Sequence, residues 1–287
     1  MLKIIVLNDN RNNCDEFDCE HGLSLYIEAN QTKILFDAGQ SNVFINNAKK
    51  MGINLEKLDY VVLSHGDYDH GNGLKFLDLK NKIKLFAHND IFKNRISKRT
   101  NKYGGLNQDK NSLKNKFDLV RSNKPTDICD NIIFLGEIEK TNDFEKGGLP
   151  MIDEKGVEYP HHDDSGIVIK TTQGLVVISG CAHSGICNTI EYAKKITGEK
   201  NVFAVIGGFH LKEINEKTET TKKYLQNNKI KNVLLAHCTS DEVCENITKT
   251  MPQIVQVISV GKTYKWDIWY CIELKKIKHN TILNFVK

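Results

Sequence analysis

Alternating apolar and polar positions divide the first third of the chain into five short strands and one amphipathic helix. Residues 23–27 alternate with a period of two, as expected of a half-buried strand. Residues 60–63 are continuously apolar, which is typical of a strand buried on both faces. Ser41 is a candidate cap for a helix whose apolar face includes Phe44 and Met51. The predicted strands span residues 3–7, 23–27, 33–36, 60–63 and 83–87.

The second half of the chain repeats this alternation of strands and helices. Residues 166–170 and 175–179 predict a hairpin around Gly174. Thr239 and Glu242 have the spacing of a capping box, which predicts the start of a helix. Further strands are predicted at 202–206, 233–236 and 254–259, with helices after residue 186 and near 215–228, and a final aromatic segment at 264–274. We therefore expect two similar α/β halves around one core, in a single domain spanning residues 1–287.

Residues 90–160 depart from this pattern, because they are rich in Asn and Lys and only weakly periodic. Residues 93–124 contain ten basic residues (Lys93, Arg95, Lys98, Arg99, Lys102, Lys110, Lys114, Lys116, Arg121 and Lys124) against two acidic ones (Asp109 and Asp118). The segment is predicted to be a polar, basic insertion. Two roles stay open: a solvated connection between the halves, or a cap that steers an anionic substrate toward a site.

Composition excludes several classes of protein. Hydrophobic residues make up 40% and charged residues 26% of the 287 residues, which is ordinary globular usage. The longest all-hydrophobic run, 202–206, is too short to span a membrane. A net charge of +4 and the lack of interleaved basic and aromatic residues argue against a nucleic-acid partner. Eight cysteines without an export signal predict reduced thiols and a cytoplasmic protein.

Four potential metal ligands directly follow the buried strand at 60–63. They are His65, Asp67, Asp69 and His70, and the two carboxylates would repel each other unless a cation lay between them. Imidazole and carboxylate together suit zinc, manganese or iron(II). Further histidines follow other predicted strands, where ligands gather at the carboxyl ends of α/β sheets. These strand-end histidines are His183, His210 and His237.

Several motifs together resemble the metallo-β-lactamase superfamily. The motifs are Phe36-Asp37-Ala38-Gly39-Gln40-Ser41, His65-Gly66-Asp67-Tyr68-Asp69-His70-Gly71, Ser179-Gly180-Cys181-Ala182-His183-Ser184-Gly185-Ile186, Ile206-Gly207-Gly208-Phe209-His210-Leu211 and His237-Cys238-Thr239. The closest resemblance is to the branch labelled dihydropterin ribofuranosylaminobenzene-phosphate synthase-like. This resemblance covers nearly the whole chain and implies a four-layer αββα sandwich with a two-metal site at one edge.

The resemblance also implies roles for individual residues. A first ion would be bound by His65, Asp67 and His183, and a second by Asp69, His70 and His237. His210 would be either another ligand or a proton donor facing the substrate, so that Asp69 and His210 are the candidate catalytic residues. Asp37 would orient the metal-binding loop without touching metal.

Two positions depart from the superfamily pattern. Asp67 stands where a histidine is usual. A carboxylate oxygen is a harder ligand, in the sense of hard and soft acids and bases, than an imidazole nitrogen. The substitution should therefore shift the metal preference of the site from zinc toward manganese or iron(II). Cys181 stands where a bridging aspartate is usual, with His183 two residues later. Either residue could be the ligand, and His183 is favoured because a small buried thiol is common. His161 and His162 could represent the third histidine motif of the superfamily.

The implied function is hydrolysis or transfer at an ester, phosphodiester or related phosphorylated small molecule. A hydroxide on a dinuclear centre would attack, and the basic segment favours an anionic substrate. Asp67 also supports a di-iron redox enzyme as an alternative. A second alternative is a non-catalytic metal-binding sensor that retains the fold, and a nuclease is a weak third.

Overall fold

The computed structural model describes residues 1–145 and 150–268. The strands are β1 (Leu2–Asn8), β2 (Ser24–Ala29), β3 (Thr32–Phe36), β4 (Tyr60–Val62), β5 (Lys84–Ala87), β6 (Ile96–Ser97), β7 (Asp118–Arg121), β8 (Thr126–Cys129), β9 (Ile132–Phe134), β10 (Met151–Ile152), β11 (Glu158–Tyr159), β12 (Gly166–Thr171), β13 (Gly174–Ser179), β14 (Val202–Gly207), β15 (Asn232–Leu235), β16 (Val255–Val257) and β17 (Thr263–Trp266). The α-helices are α1 (Val43–Lys50), α2 (Tyr68–Gly71), α3 (Lys110–Lys116), α4 (Ile186–Thr197), α5 (Glu216–Asn227) and α6 (Asp241–Thr250).

Two seven-stranded sheets form the centre of the molecule. The first has the order β17-β1-β2-β3-β4-β5-β7, and the second has the order β16-β15-β14-β13-β12-β9-β8. A small third sheet pairs β11, β10 and β6. Strands β3, β4, β5 and β7 are parallel in the first sheet, as are β13 to β16 in the second. Parallel strands end at a common edge, where loops can gather functional side chains.

Side chains alternate between the two faces of β1, and both faces are buried. Ile4 and Val6 pack in a core between the two sheets, together with residues of the second sheet such as Ile169. Ile5 and Leu7 point to the opposite face of the first sheet. This double burial explains why the strands contain continuous apolar runs as well as alternating ones.

Helices cover the outer face of each large sheet. Phe44 of α1 packs against the first sheet, and Ile190 of α4 and Val243 of α6 pack against the second. The layers are therefore helix, sheet, sheet and helix, which confirms the predicted αββα sandwich. None of the helices in the described part of the chain is long and apolar enough to cross a membrane.

The predicted caps of α1 and α6 each lie one residue before the observed N-cap, which is Asn42 in α1. Helix α6 is capped by Ser240, whose side chain accepts a hydrogen bond from the Val243 amide. The Thr239 hydroxyl instead accepts a hydrogen bond from the amide of Phe209 at 3.0 Å. This bond connects the segments that follow β14 and β15. The predicted aromatic segment 264–274 lies outside the described residues from 269 onward, and residues 264–266 belong to β17.

The polar segment 90–160 contributes strands to every sheet. Strand β7 pairs with β5 at the edge of the first sheet, and β9 pairs with β12 in the second. Strands β6, β10 and β11 form the small sheet within the segment. The segment thus builds part of the sandwich itself, and its role as a cap stays a prediction.

Candidate metal centre

Among the residues with left-handed backbone conformations, four are acidic or histidine residues at the ends of strands or beside them. The φ angles are 57° at Asp37, 52° at His161, 49° at His210 and 40° at His237. A non-glycine residue with a left-handed backbone has a higher conformational free energy than one with an ordinary backbone. Such residues are concentrated at functional sites, where the surrounding structure holds them in place. All four lie at one edge of the sandwich, where they direct their side chains into a common site.

Asp37 fixes the loop that follows β4. Its Oδ1 accepts from the Ser64 amide at 2.8 Å, and its Oδ2 accepts from the Ser64 hydroxyl and from His70 Nδ1, both at 2.7 Å. Because the Ser64 hydroxyl donates to Asp37, it accepts from His65 Nδ1 at 2.8 Å. In both rings Nδ1 is therefore engaged, and Nε2 is the nitrogen that faces the interior of the site and could bind a metal ion.

The first cluster surrounds one oxygen of Asp67. The Nε2 atoms of His65, His183 and His161 lie 3.4, 3.6 and 3.7 Å from Asp67 Oδ2. His161 therefore joins the three residues that the resemblance assigns to the first ion. His162 lies outside the cluster, because it contacts Glu137 at 3.1 Å and its side chain is 51% exposed.

The second cluster surrounds one oxygen of Asp69. His237 Nε2 lies 3.2 Å from Asp69 Oδ2, and His70 Nε2 lies 4.0 Å from the same atom. His237 Nδ1 donates to Asn10 Oδ1 at 2.8 Å, which orients its ring in the same way as Ser64 orients His65. His21, which the sequence reasoning missed, places its Nε2 3.1 Å from Asp69 Oδ2.

Cys181 lies beside the second cluster. Its Sγ is 3.2 Å from His70 Nε2, and its backbone oxygen accepts from the Cys238 thiol at 3.4 Å. The atoms of His65, His70 and Cys181 that could bind metal lie within 4.8 Å of one another. Burial, together with the Cys238 thiol, raises the pKa of Cys181 well above its usual value. Both of the residues that the sequence left open as alternatives, Cys181 and His183, are therefore at the site.

Several buried nitrogens at the site lack a hydrogen bond within the described structure. These atoms are His65 Nε2 and both ring nitrogens of His161 and His183. Buried polar groups are rarely left unpaired, and unpaired groups often mark a missing water or ion. Burial opposes ionisation of Asp67, but the surrounding imidazoles of His65, His161 and His183 hold its pKa well below the usual value. Imidazole nitrogens converging on a carboxylate fit a divalent transition metal.

A cavity of about 620 Å³ opens beside the two clusters. His210 lines it and places its ring 4.6 Å from the ring of His183. Burial, with the charges of Lys212 and Lys217, lowers the pKa of His210 to about 3. The imidazole of His210 is therefore neutral near pH 7. Lys212 also lines the cavity, as do Arg99 and Lys102 from the polar segment.

The residues that sequence reasoning missed have little local signal. His21 precedes β2 instead of following a strand, and Asn10 lies in an ordinary polar stretch after β1. Arg95, which bonds to Asp67, is one of ten basic residues between 93 and 124. Only the folded arrangement shows that these three residues contact the candidate ligands.

Similarity to known proteins agrees with this geometry. Residues 18–237 match the family model of the metallo-beta-lactamase superfamily. The chain is 33% identical over 273 residues to 7,8-dihydropterin-6-methyl-4-(beta-D-ribofuranosyl)-aminobenzene-5'-phosphate synthase of Methanocaldococcus jannaschii, covering 87% of this chain and 91% of the relative. It is 37% identical over 221 residues to an uncharacterized protein of the same organism, covering 75% of this chain and 81% of the relative. The crystal structure of Tm1679, described as a metal-dependent hydrolase of the beta-lactamase superfamily, matches with a TM-score of 0.79 and 27% identity, covering 93% of this chain and 99% of that chain.

Proposed function

This chain belongs to the metallo-β-lactamase superfamily, and we propose that it is a metal-dependent hydrolase acting on an ester, phosphodiester or related phosphorylated small molecule. Transfer of the same group to an acceptor other than water belongs to this proposal. The main support for this proposal is that three buried imidazole Nε2 atoms without hydrogen bonds surround Asp67 Oδ2. Such an arrangement is costly without a cation and favourable with one.

We assign two divalent ions to the two clusters. His65, Asp67, His161 and His183 would bind the first ion, and Asp69, His70, His237 and His21 the second. Cys181 is the further candidate ligand beside His70. When bound, such a pair of ions lowers the pKa of water to about 7 in favourable cases and offsets negative charge in the transition state. The mixture of nitrogen and carboxylate ligands suits zinc, manganese or iron(II).

The remaining residues orient the ligands and meet the substrate. Asp37 would hold His70 and, through Ser64, His65 in the orientation that leaves Nε2 free. Asp69 and His210 are the proposed catalytic residues, because both line the cavity in which a substrate would bind. Since the imidazole of His210 is neutral near pH 7, it would donate a hydrogen bond or bind metal, and would not act as a charged acid.

The cavity favours an anionic substrate. Arg99 and Lys102 from the polar segment and Lys212 after β14 bring three positive charges to its wall. Cationic side chains form strong, charge-assisted hydrogen bonds with phosphate and carboxylate oxygens. The relative from Methanocaldococcus jannaschii that is 33% identical to this chain is named as the synthase of a 5'-phosphate. A phosphorylated substrate for this chain is consistent with that name.

Metal analysis followed by a substrate screen tests the proposal. The protein is purified without chelator, its metal content is measured, and esters and phosphodiesters are offered with that metal restored. We expect about two ions per chain and turnover of at least one phosphorylated or carboxylate ester. The variant H161A should contain less metal than the wild type, and H162A is its matched control, because His162 is the adjacent histidine that lies outside the cluster.

The same experiment separates the alternatives. Consumption of an oxidant without ester turnover, in an iron-loaded protein, would favour the di-iron redox enzyme. Stoichiometric metal without turnover of any ester would favour a non-catalytic sensor. A protein that binds no divalent ion with micromolar or better affinity would contradict the metal centre itself.

A further inference from the structure

Arg95 is a charged side chain in the interior of the protein. Its exposed fraction is 0%, and it is the largest of the fully buried side chains in the described structure. A buried guanidinium is costly unless carboxylates and further hydrogen bonds satisfy it. Its position next to the first cluster places it between two buried carboxylates, those of Asp67 and Asp163.

The guanidinium divides the two oxygens of Asp67 between two environments. Arg95 Nη1 donates to Asp67 Oδ1 at 2.8 Å. The other oxygen, Oδ2, is the one that faces the Nε2 atoms of the cluster histidines at 3.4–3.7 Å. Rotation of the carboxylate would break the bond to Arg95, so only one oxygen is free to meet an ion.

A second carboxylate holds the guanidinium in place. Arg95 Nη2 donates to Asp163 Oδ2 at 2.8 Å, and the Arg95 guanidinium carbon lies 4.5 Å from the centre of the Tyr159 ring. The Tyr159 hydroxyl in turn donates to Asp163 Oδ1 at 2.6 Å. Arg95 is therefore fixed by contacts on several sides, which makes it a rigid support for Asp67.

The same network fixes the backbone of the metal-binding loop. Asp163 Oδ2 accepts from the Gly66 amide at 2.7 Å, between the two candidate ligands His65 and Asp67. A Cβ atom at Gly66 would lie 2.1 Å from the oxygen of Ile91 and 2.9 Å from Arg95 Nη2. Only glycine allows the loop to approach the guanidinium this closely.

We propose that Arg95 is a positioning residue of the first metal site, which makes Asp67 a single-oxygen ligand and limits the negative charge there. This inference rests on the proposed function, because it concerns the same centre. One guanidinium between the carboxylates of Asp67 and Asp163 leaves a net charge of −1, which a divalent cation can offset. Without Arg95, Asp67 could turn both oxygens toward the ion, or turn away from it.

The test compares R95K, R95M/D163N and the matched control K98M. Lys98 is a basic residue of the same segment, but its partner is Glu158 and its side chain is 40% exposed. R95K keeps a charge between the carboxylates yet cannot bond to both in the same fork geometry. R95M/D163N removes the guanidinium together with the buried carboxylate that it would otherwise leave unpaired.

The test measures the metal content of each variant at fixed free concentrations of zinc and manganese. A cooperative thermal unfolding transition shows that each variant is folded. We expect K98M to match the wild type. R95K should bind the first ion about 10-fold more weakly and R95M/D163N about 10- to 100-fold more weakly, which is typical when a partner of a ligand is removed. The second ion, held by Asp69 and His237, should be retained, whereas a merely structural role would affect both ions alike.

The outcomes distinguish this inference from the proposed function. Folded R95K or R95M/D163N protein with wild-type affinity for both ions would overturn the role of Arg95 alone. A wild-type protein that takes up no ion at the first site would overturn the proposed function.

Discussion

The imidazole rings of His161 and His183 stack on each other with a centroid separation of 3.9 Å and an interplanar angle of 14°. Both rings are buried, and none of their nitrogens makes a hydrogen bond within the described structure. The Nε2 atoms of the two rings face the same oxygen of Asp67, at 3.6 Å from His183 and 3.7 Å from His161. The stack therefore connects a residue that follows β11 with one that follows β13.

We expect H161A to weaken the first ion. Loss of a direct ligand should cost at least the roughly 10- to 100-fold in metal affinity that is typical for the partners of ligands. Elemental analysis at a fixed free metal concentration measures the change. H162A is the control, and equal metal content in the two variants would remove His161 from the ligand set.

Substitution D69A should release at least one ion and abolish most activity. Asp69 Oδ2 is within 3.2 Å of both His21 and His237, so its removal leaves the second cluster without its central carboxylate. H21A should have a smaller effect, because His21 is half exposed and lies at the rim. Retention of two ions by D69A would contradict the assignment of the second site.

Replacing Asp67 with histidine should shift metal preference toward zinc. A neutral nitrogen is a softer ligand than a carboxylate oxygen and favours zinc over manganese. The substitution also leaves Arg95 without one partner, so loss of stability is expected and unfolding should be measured in parallel. Unchanged relative affinities for zinc and manganese, from competition titration of folded D67H, would argue against the hard-ligand explanation.

Neutralising the cavity wall should raise KM for anionic substrates. The combined variant R99M/K102M removes two of the positive charges that line the cavity. A charge-assisted hydrogen bond contributes about 1.5–3 kcal/mol, which corresponds to roughly 10- to 100-fold in KM per lost contact. A neutral ester of similar size serves as the control substrate, and equal changes for the two substrates would exclude charge recognition.

Removing metal should lower the unfolding temperature. Ions at 100 times their dissociation constant stabilise a folded protein by about 2.7 kcal/mol per site. For a chain of this size the loss corresponds to roughly 5 °C or more. Differential scanning calorimetry with and without chelator measures this change in unfolding temperature. The change should be smaller for D69A than for the wild type, because one metal site is already lost in D69A.

The sequence predicted the fold and the family because these depend on repeated, redundant signals. The strands at 60–63 and 175–179 were placed within a residue of their observed bounds, and the resemblance to the metallo-β-lactamase superfamily is confirmed. The basis is periodicity, which survives errors at single positions. Helix starts were less reliable, because Thr239 and Ser240 are both good caps and a tertiary contact decides between them.

The centre was harder to predict where the choice lay between neighbours. His161 and His162 are equally good ligands by residue type, and the left-handed backbone at His161 directs one inward and the other outward. Arg95 was counted with the solvated basic residues, since composition cannot tell a buried guanidinium from an exposed one. The metal ligands proposed from the motif remain predictions that the experiments above address.

Strand β9 covers the flank of β12, and this pairing crosses the boundary between the two halves of the chain. A fragment that began after residue 160 would contain β12 to β16 of the second sheet but would leave β12 with unpaired backbone groups along its edge. Such bare flanks recruit other chains and promote aggregation. Attempts to produce the carboxyl-terminal half alone should therefore include residues 126–134.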